Sequence, residues 1–364
     1  MITSEEIVGA LKHVIHPAIG TSIVELNMVS DVSVNGRSVA FTLTFAKAHD
    51  PMKNSVVKAC ERALRSIVHP DIEPHITVKS MQTVAEASKK KNPGAKNIIA
   101  VASGKGGVGK STVATNLAVA LSKMGYSAGL LDADVYGPSV PRMLGMEGVR
   151  PSVKNTEAGE IIVPVERFGV KVLSIGFFVR TEDAIIWRGP MATSAVRQLI
   201  NQGEWGELDY LIIDLPPGTG DMHLTIVQEF PVTGAIIVST PQEVALADAI
   251  RCISMFRSEK INVPILGLIE NMSWFTPEEL PEHRYYIFGN GGCKALAERA
   301  GVRLLGQIPV VQGICQGGDD GQPVVADEKS ITGKAFMELA HNTIEATYER
   351  NKNMPPTIPL DVNK

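Results

Sequence analysis

Residues 98–112 read IIAVASGKGGVGKST, and within them Gly104, Gly109, Lys110 and Ser111 fall in the spacing G-x-x-x-x-G-K-[ST]. Glycines let a chain turn so tightly that consecutive main-chain N–H groups face one point, and a following helix adds the positive end of its dipole there. That is a cradle for a polyphosphate. Its expected members are Gly104, Lys105, Gly106, Gly107, Val108, Gly109, Lys110, Ser111 and Thr112, with Lys110 neutralising the outer phosphates and Ser111 ligating magnesium.

Phosphoryl transfer also requires a metal anchor and a group that orients water. Asp214 ends YLIID and begins DLPPG, so it is the candidate magnesium anchor, and Gly218 beyond it is placed to approach the terminal phosphate through its amide. In LLDADVYGPS, Asp132 and Asp134 share one side of the chain. Asp134 is assigned to the attacking water, and capping of the next helix is its alternative role. Trp187 and Arg188, in IIWRGP, either line the site or serve packing and a surface ion pair.

These residues need strands that end together. IIAVAS, AGLLDAD, VLSIGF, YLIIDLP, GAIIVST and ILGLIENM are strand-length and apolar on both faces, and helical patterns follow most of them. The pattern predicts an α/β fold, a mostly parallel sheet covered by helices on both faces. Residues 150–170 read as a hairpin excursion. Before the sheet, Thr3 and Glu6 form a possible capping box, and Ile7, Leu11, Val14 and Ile15 share a helical face. Asn35-Gly36 suits a type I′ turn between two strands, Asp50-Pro51 opens a second helix bearing Val56, Cys60, Ala63, Leu64 and Ile67, and ITVKS adds a strand. The expected domains are a small α+β module over 1–84, a linker over 85–96, a sheet domain over 97–350 and a tail over 351–364.

The 364 residues carry a formal charge of −4, which gives no sign of a nucleic-acid or acidic-lipid surface. Glutamates stand where a signal peptide carries basic residues, no apolar run approaches membrane-spanning length, and a cytoplasmic location is expected. Cys60, Cys252, Cys293 and Cys315 are too scattered for a disulfide framework or a self-contained zinc site. Cys60 and Cys252 lie in helical patterns and are expected in the core.

Lys105, in GKGGVGKS, makes the loop similar to the deviant P-loop of the ATPases that include MinD, ParA and the nitrogenase iron protein. The resemblance implies ATP and Mg2+ as cofactors and a homodimer in which Lys105 crosses to the partner's phosphates. LLDADVYGPSVPRMLG, WRGPM, DYLIIDLPPGTGD, TPQEVAL, ENMSWF and IFGNGG together resemble the Mrp/ApbC branch, the iron-sulfur cluster carriers, and HPAIGTSIVELNMV resembles the small assembly-factor domain fused to many of them. This implies an ATPase that delivers clusters from an assembly scaffold to apo client proteins, with Asn271 contacting adenine and Pro241 and Val244 bordering it.

Most members of that branch carry a CxxC pair in the loop after N-M-S. This chain has no cysteine between Met272 and Gly292, where Pro277, Glu279, Leu280 and Pro281 stand instead, and Asp50-Pro51 replaces the small domain's usual Cys-Pro. Cys293, at a predicted helix start that lowers a thiol pKa, is the remaining candidate iron-sulfur ligand near the loop, with His283 as a possible assistant and a packing role as the alternative. An ATP-gated scaffold that recruits clients without holding a cluster is the alternative function. A third reading, a MinD-like positioning ATPase, wants a basic amphipathic helix, whereas ITGKAFMELAHNTIEATYERNK is mixed in charge and reads as a packing helix.

Overall fold

The computed structural model describes residues 3–17, 20–26, 28–45, 52–80, 94–156, 159–178, 189–259, 261–277, 279–280 and 282–357. Asp50, Pro51, Pro281, Trp187, Arg188 and most of the expected linker lie outside them. The chain divides into two compact units, Met1–Lys90 and Lys91–Lys364.

In the first unit, α1 (Ser4–Leu11) opens with the capping box: Glu6 N donates to the Thr3 side chain and Thr3 N to the Glu6 carboxylate. β1 (Val29–Asn35), β2 (Ser38–Phe45), α2 (Lys53–Ala63) and β3 (Glu73–Ser80) complete the expected α-β-β-α-β order, and the sheet runs β1-β2-β3 with β2 and β3 parallel. Its core gathers Ile7, Leu11, Phe41, Phe45, Val56 and Cys60. Three details differ from the sequence reading. Asn35 pairs with Ser38, so the turn is Gly36-Arg37, and positive φ falls on Gly36 without Arg37, which excludes type I′. Ile15 lies beyond the end of α1 and is half exposed, as is Ile67, which a widened π turn over Leu64–Val68 rotates off the buried face.

In the second unit, β4 (Ala95–Ala102), α3 (Lys110–Lys123), β5 (Ala128–Asp132) and a short α4 (Val140–Met143) lead to the excursion, a β6/β7 hairpin (Val153–Thr156, Gly159–Ile162). β8 (Val165–Arg167), β9 (Val170–Ser174), α5 (Gly189–Gln202), β10 (Leu208–Asp214), α6 (Asp221–Glu229), β11 (Gly234–Ser239) and α7 (Glu243–Arg257) follow. β12 (Ile265–Phe275), α8 (Gly292–Ala300), β13 (Leu304–Val310), α9 (Gln312–Asp319) and α10 (Ile331–Asn353) end the unit. The eight-stranded order is β13-β12-β11-β4-β10-β5-β9-β8, parallel except for the antiparallel β8 edge. β4 begins inside the expected linker because Ala95 already pairs with Leu208.

Alternate side chains of β4 serve opposite layers: Ile98, Ala100 and Ala102 face α5, α6, α7 and α8, while Ile99 and Val101 face α3 and α10. The mixed-charge C-terminal stretch is such a packing helix, burying Phe336, Leu339 and Ala340. This two-sided cover brings the carboxyl ends of β4, β5, β10, β11 and β12 to one rim. None of the described helices is long and apolar enough to cross a membrane.

Candidate functional site: a phosphate cradle at the strand ends

Between β4 and α3 the chain turns through Gly107 and Gly109, both at φ +78°, and Gly109 is the N-cap of α3. Only glycine adopts that conformation without strain. The turn also nestles against its surroundings. A Cβ on Gly104 would lie 2.1 Å from the Asp248 carbonyl oxygen of α7, and one on Gly109 would lie 2.2 Å from Asn271 Nδ2. The cradle encloses a cavity of about 180 Å³ lined by Gly106, Gly107, Lys110, Ser111, Thr112, Asp134 and Pro217.

Lys110 is buried, and its Nζ donates to Asp214 Oδ1 at 2.7 Å and to Ser111 Oγ at 3.2 Å, with Asp134 Oδ2 at 3.6 Å. The predicted metal anchor and water-orienting group therefore converge on the predicted phosphate lysine. Burial pushes the Asp214 carboxyl above the usual range, with Lys110 and Ser111 opposing. Asp214 Oδ2 is buried without a hydrogen-bond partner among the described residues. An orphaned carboxylate oxygen near a serine hydroxyl is a donor set that fits a small hard cation such as Mg2+.

The two aspartates of LLDAD take different places. Asp134 lines the cavity. Asp132 is fully buried, where its Oδ1 accepts from Asp134 N at 3.1 Å and its Oδ2 from Ser174 Oγ at 2.8 Å. Burial, then the charge of Asp214, push the Asp132 carboxyl up to about 8. Asp132 thus fixes the main chain that presents Asp134, a positioning part that the motif alone does not reveal. Asp134 Oδ1 in turn accepts from Tyr136 N within the turn, while the N-cap of the next helix, α4, is Ser139, so the helix-capping alternative does not hold for Asp134.

Gly218, at φ +92°, donates its N–H to the Ser103 carbonyl at 2.9 Å, so the amide expected at the terminal phosphate is already engaged here. Asn271 is also committed: its Nδ2 donates to the Val108 carbonyl at 2.8 Å and braces the cradle from beneath. Pro241 packs its carbonyl against Gly289 and Gly292, and Val244 is exposed on the first turn of α7. Lys105 is exposed, and its side chain has no ion pair or hydrogen bond among the described residues.

The loop after β12 is fastened at both ends by Glu270, which sequence reasoning missed. This fully buried carboxylate accepts from Ser273 Oγ, from Gln307 Nε2 at 2.7 Å and from Cys293 N at 2.8 Å. The signal was available as one acid in the otherwise apolar strand ILGLIENM. Within the loop, Phe275 and Tyr285 exchange backbone hydrogen bonds, and Arg284 lies over the Trp274 ring at 4.2 Å. His283 is exposed on that loop.

Cys293 corrects the sequence expectation. It is fully buried, and burial together with the neighbouring Glu270 charge pushes its thiol up to about 12 instead of lowering it. The helix start is present, but Glu270 occupies its N–H. Cys60 and Cys252 are buried as expected, Cys315 is exposed, and among the described residues no group of three or more His, Cys, Asp or Glu side chains is placed to hold a metal. Within one chain, the described residues bring no set of thiolates together for an iron-sulfur cluster.

Comparison with known proteins agrees with this geometry. The family model for the NUBPL iron-transfer P-loop NTPase matches residues 94–344, and that for an iron-sulfur cluster assembly protein matches residues 4–72. The chain is 43% identical to an iron-sulfur cluster carrier protein of Synechocystis over 93% of its length and 96% of the relative's. It is 51% identical to a protein of the same description from Aquifex aeolicus, over 70% of this chain and 68% of the relative. Among solved structures, the nucleotide-binding protein of Archaeoglobus fulgidus in complex with ADP superposes with a TM-score of 0.55 at 38% identity, covering 66% of this chain and 92% of that one. A strand-borne phosphate cradle, two carboxylates on its lysine and a match over residues 94–344, which include every strand of the large sheet, lead to one assignment: the chain belongs to the NUBPL iron-transfer P-loop NTPase family.

Proposed function

We propose that this protein is a cytoplasmic, Mg2+-dependent ATPase that works as an iron-sulfur cluster carrier, a homodimer that takes clusters from an assembly scaffold and delivers them to apo client proteins. One observation carries the nucleotide chemistry: Asp134 and Asp214, from the ends of two neighbouring strands, both reach the ammonium of Lys110 inside the glycine cradle. The relatives, iron-sulfur cluster carrier proteins, support the cargo and favour the carrier over a scaffold that never holds a cluster.

In this reading the amides of 104–112 bind the phosphate oxygens, and Lys110 exchanges Asp214 for the outer phosphates. That exchange leaves Asp214 and Ser111 to hold Mg2+, which when bound neutralises charge on the phosphate oxygens. Asp134, held by Asp132, orients the attacking water. Gly218 releases Ser103 and turns its amide to the terminal phosphate. Asn271 holds the cradle in register and borders the adenine, with Pro241 and Val244 alongside. Lys105 has nothing to bind in its own subunit among the described residues, which fits a lysine that serves a partner's site and makes turnover depend on self-association.

Mg-ATP binding and steady-state hydrolysis by the purified chain test the enzyme. Normal hydrolysis after Lys110→Ala would end the assignment. Anaerobic reconstitution with iron and sulfide tests the cargo separately: bound cluster in stoichiometric amount supports the carrier, and its absence in an ATP-hydrolysing sample removes the cargo while leaving the ATPase.

A further inference from the structure

A second cavity, of about 300 Å³, lies in the sheet unit at the opposite end of β4 and β11 from the phosphate cradle. Its walls include Lys96, Thr233, Arg350, Asn351 and Thr357, and no aspartate or glutamate among the described residues. Arg350, near the end of α10, is half-buried. Its Nη1 donates to Asn351 Oδ1 at 3.0 Å, and its Nη2 donates to the Pro355 carbonyl at 2.9 Å and to Thr357 Oγ1 at 2.8 Å. All three acceptors are neutral. Its Nε–H is buried without a partner among the described residues, and burial lowers the guanidinium pKa.

A half-buried guanidinium given only neutral acceptors among the described residues is under-compensated, and an oxyanion is the group that satisfies it best. The remaining walls match. Thr233 Oγ1 accepts from Ile98 N, which leaves its hydroxyl hydrogen free to donate, and Thr357 Oγ1 is in the same position after accepting from Arg350. Lys96, paired with Asp209 at 2.8 Å, adds an ammonium at the rim. The Asn351 side chain is fixed by Asn97 at 2.8 Å, which sets the wall that Arg350 leans on.

We infer that this cavity is a binding site for a small oxyanion, a carboxylate or a phosphate, gripped by Arg350 and Lys96 with Thr233 and Thr357 as hydroxyl donors. The site is independent of the nucleotide chemistry and ties the tail at 354–357 to the first residues of β4.

Titration calorimetry of the full chain with inorganic phosphate and, separately, with succinate at constant ionic strength tests it. Saturable binding of at least one anion is expected, weakened about tenfold by Arg350→Gln and about threefold by Lys96→Gln, and retained after Lys110→Ala. A response to phosphate alone identifies a phosphoryl ligand, and one to succinate alone a carboxylate. Absence of saturable binding for both anions, or isotherms that neither Lys96→Gln nor Arg350→Gln alters, would overturn the inference. Lys96 is exposed, so its variant carries the test even where Arg350→Gln fails to fold.

Discussion

Replacing Lys110 with methionine in the nucleotide-free protein removes a buried cation from between two carboxylates. At an effective dielectric constant near 20, unit charges at the observed 2.7 Å attract by about 6 kcal/mol, most of it offset by the cost of burying both. What truncation exposes is the uncompensated remainder. Asp214 stays in a site closed to water, and the expected loss is about 3–5 kcal/mol. Asp214→Asn leaves Lys110 facing Asp134 at 3.6 Å, so its cost should be smaller, about 2 kcal/mol. The double variant removes both charges and should cost about 2 kcal/mol less than the sum.

The assay is urea unfolding followed by tryptophan fluorescence, which reports the sheet unit alone because Trp187, Trp205 and Trp274 all belong to it. The pH dependence has a definite sign. A carboxyl whose folded pKa is raised contributes stability that is full below its unfolded pKa and is lost as pH rises through the folded value. Without Lys110 opposing the shift, Asp214 titrates higher still, so the Lys110→Met deficit should widen as pH climbs from the carboxylate range toward neutrality. Additivity of the two substitutions within about 0.5 kcal/mol, or a deficit that narrows with rising pH, would refute the reasoning.

Three further outcomes are expected. Asp134→Ala should bind Mg-ATP with near-normal affinity yet lose turnover by about a hundredfold or more, measured by equilibrium binding beside steady-state hydrolysis. Gly104→Ala and Gly106→Ala should part company: the first drives a Cβ to 2.1 Å from helix α7 backbone and should lower the melting temperature, while the second meets only Pro217 at 4.0 Å and should fold normally with weakened nucleotide binding. Alkylation at pH 8 followed by mass spectrometry should label Cys315 and spare Cys293, Cys252 and Cys60, whose thiols burial raises to about 12.

The cradle was legible because its chemistry is local: glycines, lysine and serine must be consecutive for their amides to converge. The central strands were legible because each is apolar on both faces. β13 was missed for the converse reason, since an edge strand reading LLGQIPV is only partly covered and carries a glycine, a glutamine and a proline. The roles of Glu270 and Asn271 depend on partners far away in sequence, Gln307 and Cys293 for one and Val108 for the other, and no spacing rule encodes such meetings. The state of Cys293 is not legible from its helix start, because the carboxylate that overrides it, Glu270, lies 23 residues earlier and meets it only in the fold.

Glu270 and Asn271 are neighbours on one strand, yet one clasps the aromatic loop and the other props the phosphate-binding turn. A displacement of that loop therefore lies two residues of strand away from the turn that Asn271 braces. Two adjacent positions of a single strand thus anchor two surfaces that face different tasks, and neither anchor can shift without the backbone of the other following.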